Sequence, residues 1–268
     1  MAECRELLSD RQSGIILDLD GTVYRGEWLI PGAREAIEVL RHRTHPIAFV
    51  TNALESRAEH AAKLTRLSVP TSPDEVINAP LVLTRYLTRQ MPGATVFAIG
   101  DSPLLEELTA NFRFSEDPDE IDVVVASFDP TFDYRKLNIA FQALRRGARF
   151  LATNADATAP VAGGELPDAG AVIGALEGCS KRKVELVVGK PSPLVVEVVL
   201  ERLERPASEC LIVGDNLEAD IVMGHRAGMT TALVLTGVTR QADLAHAPVQ
   251  PDYVLESIAD VPRLFGDE

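Results

Sequence analysis

Residues 15–26 read IILDLDGTVYRG. Three apolar residues run straight into two carboxylates, Asp18 and Asp20, and Gly21 and Thr22 follow. In extended backbone, residues two apart point to the same side, about 6.6 Å apart along the strand, so both acids can flank one reacting group. Gly21 supplies the turn by which the chain leaves the strand. Taken alone, D-x-D-G also fits two solvated turn acids. An EF-hand calcium loop begins in the same way but needs glycine at its sixth position, glutamate at its twelfth and flanking helices. Counted from Asp18 those positions hold Val23 and Leu29, and a strand pattern precedes them, so that reading fails.

Outward from this segment, short apolar runs alternate with helical patterns, the signature of parallel-sheet α/β units. Strands are expected near 14–18, 46–50, 95–99, 121–126, 149–152, 184–188, 210–214, 230–235 and 252–255. Between them, stretches such as GAREAIEVLRHR, RAEHAAKLTRL, DYRKLNIAFQALRRG and SPLVVEVVLERLE have the spacing of amphipathic helices. Four strands end on polar groups: GIIL on Asp18, PIAFV on Thr51-Asn52, VELVV on Gly189-Lys190-Pro191, and CLIV on Gly214-Asp215-Asn216. Carboxyl ends in one parallel sheet share an edge, so the four loops are expected to converge where open α/β sheets bind ligands.

An acid pair, a hydroxyl with an amide, a lysine and a further acid suit a divalent metal holding a phosphate. Mg2+ takes few carboxylates together with phosphate oxygens and water. A lysine and hydrogen-bond donors offset the charge of a transferring phosphoryl group. Nucleotide-binding alternatives are weak, because no G-x-G-x-x-G follows a strand and VVGKPSP lacks the P-loop arrangement. Individually, Lys190 reads as a surface lysine, Asp215 as a turn residue, Asp220 as a first-turn helix acid, and SPDE at 72–75 as a helix start.

The 268 residues, 46% of them hydrophobic, can bury a sizeable core and suit two modest domains better than one. A net charge of −14, with lysine only at 63, 136, 181, 183 and 190 and no basic patch, argues against nucleic acid as a partner. That acidic, lysine-poor balance fits either a high-salt cytoplasm or a GC-rich genome. Cys4, Cys179 and Cys210 are odd in number and lack C-x-x-C spacing, which argues against both a disulfide framework and a cysteine zinc site and fits a reducing compartment. MAECRELLSDRQSG carries no apolar signal core, and no apolar run approaches the roughly 18 residues of a membrane span. A soluble, cytoplasmic protein with no membrane partner is expected.

D-L-D-G-T at 18–22, T-N at 51–52, G-K-P at 189–191 and G-D-x-x-x-x-D at 214–220 resemble, in order, the four motifs of the haloacid dehalogenase-like (HAD) superfamily. The wider strings DLDGTVYRGEWLIPGA, RRGARFLATNADAT and VVGKPSPLVVEVVLERL look like its NagD-type, p-nitrophenyl phosphatase-like subgroup, subfamily IIA. The resemblance implies an α/β fold with a Rossmann-like parallel-sheet core and an inserted, smaller α/β cap of C2 type. Too little chain separates Thr22 from Thr51 to hold a cap, whereas Asn52 to Lys190 leaves ample room. The expected division is core 1–76, cap 77–183 and core 184–268.

The resemblance further implies hydrolysis of a small phosphorylated metabolite through an aspartyl-phosphate. Asp18 would be the nucleophile and Asp20 the general acid/base. Thr51 and Asn52 would hold phosphoryl oxygens while Lys190 offsets their charge. Mg2+ would be held by the Asp18 carboxylate, the Asp20 main-chain carbonyl and Asp215. Asp220 would orient Lys190 or metal-bound water. Dehalogenases of the superfamily lack the second acid, because halide leaves without a proton, so Asp20 favours a phosphatase. Sugar phosphates, phosphoglycolate, nucleoside monophosphates and p-nitrophenyl phosphate are the substrate classes in view. A phosphotransferase using the same intermediate and a non-catalytic phosphometabolite-binding regulator are the alternatives, and the subgroup allows a homodimer through the cap. Ala53 stands where the subgroup usually has a second asparagine, and Asp168 where a glycine is common. Asn154 and Asp156 read equally as cap residues facing substrate and as an Asx-type turn ending a strand.

Overall fold

The computed structural model describes residues 13–161 and 163–266. Cys4 and nearly all of the N-terminal stretch read for a signal core lie outside the described residues. From the N-terminus the chain forms β1 (Gly14–Asp18), a hairpin of β2 (Tyr24–Arg25) and β3 (Trp28–Leu29), α1 (Ala33–His42), β4 (Ile47–Thr51), α2 (Arg57–Arg66) and β5 (Val76–Asn78). There follow α3 (Ala79–Gln90), β6 (Thr95–Ile99), α4 (Ser102–Asn111), β7 (Arg113–Phe114), β8 (Val123–Ala126), α5 (Tyr134–Arg145), β9 (Arg149–Ala152), a hairpin of β10 (Thr158–Val161) and β11 (Gly164–Pro167), and α6 (Ala169–Ser180). The chain ends with β12 (Leu186–Val187), α7 (Pro193–Leu203), β13 (Cys210–Gly214), α8 (Val222–Ala227), β14 (Thr230–Val234) and β15 (Tyr253–Leu255). Every strand expected from the sequence forms, within two residues of its expected bounds.

The chain divides into two compact units. The first takes the described residues up to Thr51, then Arg57–Ile77, then Val196 onward; the second takes Asn52–Ser56 and Asn78–Val195.

In the first unit six strands lie in the order β15-β14-β13-β1-β4-β5. Counted in chain order from the β5 edge this is 3-2-1-4-5-6, the Rossmann arrangement. β1 is central and runs parallel to β13 and β4. Its five residues GIILD are all buried, as a strand covered on both faces requires. Each fully buried Ile or Leu side chain there contributes on the order of 1.5–3 kcal/mol. α1 shows why the covering helices form: Ala33, Ala36, Ile37 and Leu40 make one buried stripe, with Glu35 in the first turn and Arg41 and His42 in the last. The chain leaves β1 toward β4 on one side and returns to β13 on the other, so the topological switch point lies between β1 and β13.

The second unit has its own sheet, β12-β9-β8-β6-β7, with every neighbouring pair parallel. Its core gathers Phe97, Ile99, Val124, Phe150 and Leu176. This sheet corrects one expectation. β12, the strand leading to Lys190, belongs here and not with β1, β4 and β13, because Leu186 and Val187 register with Leu151 and Ala152 of β9. For the same reason the second unit runs past residue 183 to Val195. Apolar content alone does not say which of two parallel sheets a short buried strand will join.

Candidate active site

Asp18 closes β1, and its neighbours are fixed by register. Leu17 pairs with Val213 and Asp18 with Val50, so Gly214-Asp215 on one side and Thr51 on the other reach the same carboxyl edge. Adjacent strands lie about 4.8 Å apart, which brings the side chains within a metal's reach of one another. Asp18, Asp215 and Asp220 are all buried, and each offers a carboxylate oxygen within 4.8 Å of the others'. Two like unit charges at that separation repel by roughly 3 kcal/mol at an effective dielectric of about 20, and a divalent cation between them reverses the sign. Buried oxygen ligands without sulfur or imidazole are the donor set of a hard cation such as Mg2+.

The G-D-N-x-x-x-D segment folds for a local reason. The Asn216 side chain accepts hydrogen bonds from the Glu218 and Ala219 N–H groups at 2.9 and 3.1 Å, starting a π-helical turn over Leu217–Ile221 that continues into α8. The turn carries Asp220 back over Gly214, where an added Cβ would lie 2.2 Å from the Asp220 Cγ. One Asp220 oxygen accepts from the Asn216 N–H at 3.2 Å. Asp220 thus stands in the acid cluster itself, held by the loop that supplies Asp215.

Asp20 is exposed and Thr51 buried. Behind Asp20 the chain reverses tightly: Val23 N–H donates to the Leu19 carbonyl at 2.8 Å and Gly21 N–H to the Tyr24 carbonyl at 2.7 Å. Gly21 has φ +86°, which side-chain-bearing residues rarely adopt.

The remaining candidates belong to the second unit. Lys190 is buried, and Asn52 clasps its main chain: Lys190 N–H donates to Asn52 Oδ1 at 2.8 Å, and Asn52 Nδ2 donates to the Lys190 carbonyl at 3.3 Å. Gly189 is needed in G-K-P because a Cβ there would meet the Thr153 carbonyl at 2.5 Å and Asn52 Oδ1 at 2.6 Å. Asn52 Nδ2 also donates to Asp156 Oδ2 at 3.3 Å. Asn154 Oδ1 accepts from the Asp156 N–H at 3.1 Å, so the Asx turn read from ATNAD is present. Asp168 caps α6, accepting from the Ala169 N–H at 2.6 Å. Burial holds its carboxyl above the ordinary value and the nearby Asp156 charge adds to this, against hydrogen bonds from Ala169 and Asn154. Ala53 is exposed.

Sequence reading passed over the loop after β14. Thr236, Gly237, Val238 and Thr239 pack on Gly21 and Asp215. The available signal was positional, since LTGVT at 235–239 follows another strand of the same parallel sheet.

Comparison with known proteins agrees with this geometry. Two family profiles match, "Haloacid dehalogenase-like hydrolase" over residues 15–111 and "HAD-hydrolase-like" over 187–261. The Bacillus subtilis sugar-phosphatase AraL is 41% identical over 254 residues, covering 94% of this chain and 93% of that protein. The chain belongs to the haloacid dehalogenase-like hydrolases. Within that family it is of the NagD type. The 4-nitrophenylphosphatase of Thermotoga maritima superposes with a TM-score of 0.90 at 32% identity, covering 95% of this chain and 97% of that one. NagD of Escherichia coli K-12 superposes with a TM-score of 0.85 at 29% identity, covering 92% and 97%. This HAD hydrolase is an enzyme of the phosphoric monoester hydrolase class, a phosphatase. Among its described residues no helix is long and apolar enough to cross a membrane.

Proposed function

We propose that this phosphatase is Mg2+-dependent and dephosphorylates a small phosphorylated metabolite, sugar phosphates foremost, through an aspartyl-phosphate on Asp18. The observation that carries the reading is the buried trio Asp18, Asp215 and Asp220 at the switch point of the parallel sheet. Sugar phosphates come first because AraL and the Staphylococcus saprophyticus acid sugar phosphatase, 33% identical over 92% of this chain, are sugar phosphatases by name.

An Asp18 oxygen attacks phosphorus in line, forming the acyl phosphate as the ester P–O bond breaks. Asp20 gives its proton to the departing alkoxide and next takes one from the water that attacks the acyl phosphate. Inorganic phosphate leaves and the Asp18 carboxylate is regenerated. The Thr51 hydroxyl donates to a phosphoryl oxygen, and Lys190, by its place in the third motif, supplies positive charge to that group. Asn52, whose side chain is engaged by the Lys190 main chain, acts as a positioning residue. Asn154 and Asp156 are assigned to substrate selection. Asp18, Asp215 and the Asp20 carbonyl would hold Mg2+, with Asp220 steadying them. Bound there, the ion offsets the charge on the phosphoryl oxygens and on Asp18.

The test is an assay on sugar phosphates, phosphoglycolate, nucleoside monophosphates and p-nitrophenyl phosphate, with Mg2+ or with chelator. Wild type should release phosphate only with Mg2+, and Asp18→Asn should not. Equal activity of the two proteins, or full activity in chelator, contradicts the reading.

A further inference from the structure

The loop after β14 grips one metal-ligand candidate through its main chain. Val238 N–H donates to Asp215 Oδ2 at 2.6 Å, and Thr239 N–H donates to the Asp215 carbonyl at 3.1 Å. Thr239 Oγ1 accepts from the Leu217 N–H at 3.4 Å, tying the same loop to the turn that carries Asp220. At the other end Thr236 Oγ1 donates to the Gly21 carbonyl at 2.6 Å, and Arg25 donates to the Thr236 carbonyl.

Two bare glycine faces close the grip. A Cβ on Gly237 would lie 1.7 Å from Asp215 Oδ2, and a Cβ on Gly21 would lie 2.5 Å from the same atom. One carboxylate oxygen is therefore boxed by a short N–H bond and two surfaces that accept no side chain. A carboxylate so held has one oxygen committed to the loop and little freedom to turn.

We propose that Thr236–Thr239 is a positioning element that keeps Asp215 monodentate, and that it thereby sets the site's preference for Mg2+ over Ca2+. Mg2+ demands near-octahedral geometry at short distance, which one fixed oxygen serves, whereas Ca2+ takes more ligands and accepts bidentate carboxylates. The methyl group added by Gly237→Ala would push the Asp215 carboxylate out of the grip and let it turn both oxygens to the ion. The inference rests on the reading of Asp215 as a metal ligand.

The test is calorimetric titration of Mg2+ and Ca2+ into wild type, Gly237→Ala and Asp215→Asn, without substrate. Gly237→Ala should bind Mg2+ at least about tenfold more weakly while Ca2+ affinity falls less or rises, so that the Mg2+:Ca2+ affinity ratio drops. Unchanged affinities, or equal losses for both ions, overturn the positioning role. Should Gly237→Ala not fold, Val238→Pro, which deletes the N–H donor and leaves Gly237 bare, carries the same expectation. Mg2+ binding by Asp215→Asn at wild-type strength would instead overturn the metal reading, and the positioning role with it.

Discussion

The two parallel sheets bury their acids in different company. In the first unit, β1 and β13 bring three carboxylates of like sign within 4.8 Å, all buried. In the second unit, the loop after β8 also buries an acid, Asp129, but Lys136 of α5 meets it at 2.6 Å and the Thr131 N–H and hydroxyl donate to its other oxygen at 2.8 and 2.7 Å. Nearby, Ser127 and Thr153 hydroxyls pair with each other at 2.7 Å. At the second edge the acid pairs with a lysine and a threonine of the same unit. The first gathers three carboxylates on one edge, an oxygen donor set that suits a bound divalent cation.

Substitutions can sharpen or break that contrast. The largest expected effect is on turnover: Asp18→Asn should lower kcat by about 10³-fold or more, and Asp20→Asn by about 10²–10⁴-fold, in a phosphate-release assay with the fold intact by circular dichroism. Next comes linkage. Mg2+ at about 100 times its Kd should stabilise wild type by about 2.7 kcal/mol in denaturant titration, and that gain should vanish in Asp215→Asn. The second unit should behave in reverse. Lys136→Met leaves Asp129 buried without its cation and should cost about 2 kcal/mol, less than for a fully buried pair because Lys136 is partly exposed, with no change in Mg2+ affinity. A Lys136→Met protein as stable as wild type would remove the contrast.

The smallest effect depends on pH. The raised carboxyl of Asp168 means that the folded chain holds this proton more tightly than the unfolded chain does. Its contribution is therefore favourable in acid and is lost as pH rises from about 3.9 through the higher folded value. Asp168→Asn keeps an N-cap oxygen and removes the charge, so it should match or exceed wild-type stability at pH 7 and show no gain at pH 3. Denaturant midpoints at the two pH values decide this. Greater stability of wild type at pH 7 would contradict it.

Much of this was legible in the chain. The apolar runs that end on Asp18, Thr51 and Gly214 form strands of one sheet because strands buried on both faces read as continuous Ile, Leu and Val. The G-D-x-x-x-x-D motif pointed to both acids, and Asp220 comes within 4.8 Å of Asp18 and Asp215 because the cap made by Asn216 folds the chain back. The sheet membership of β12 was not legible, because a two-residue strand owes its place to a partner, β9, over thirty residues away in sequence. Nor was the grip of residues 236–239 on Asp215, which works through main-chain N–H groups and the missing side chain of Gly237. Patterns of side-chain type do not register such contacts.

The central claim is covalent: Asp18 carries the phosphoryl group during turnover. Acid quenching of wild type turning over p-nitrophenyl phosphate with Mg2+, followed by peptide mass spectrometry, tests it directly. The account predicts one phosphoryl adduct on the peptide containing Asp18, absent from Asp18→Asn and sensitive to hydroxylamine. An adduct on another residue, or full turnover by Asp18→Asn, would contradict it.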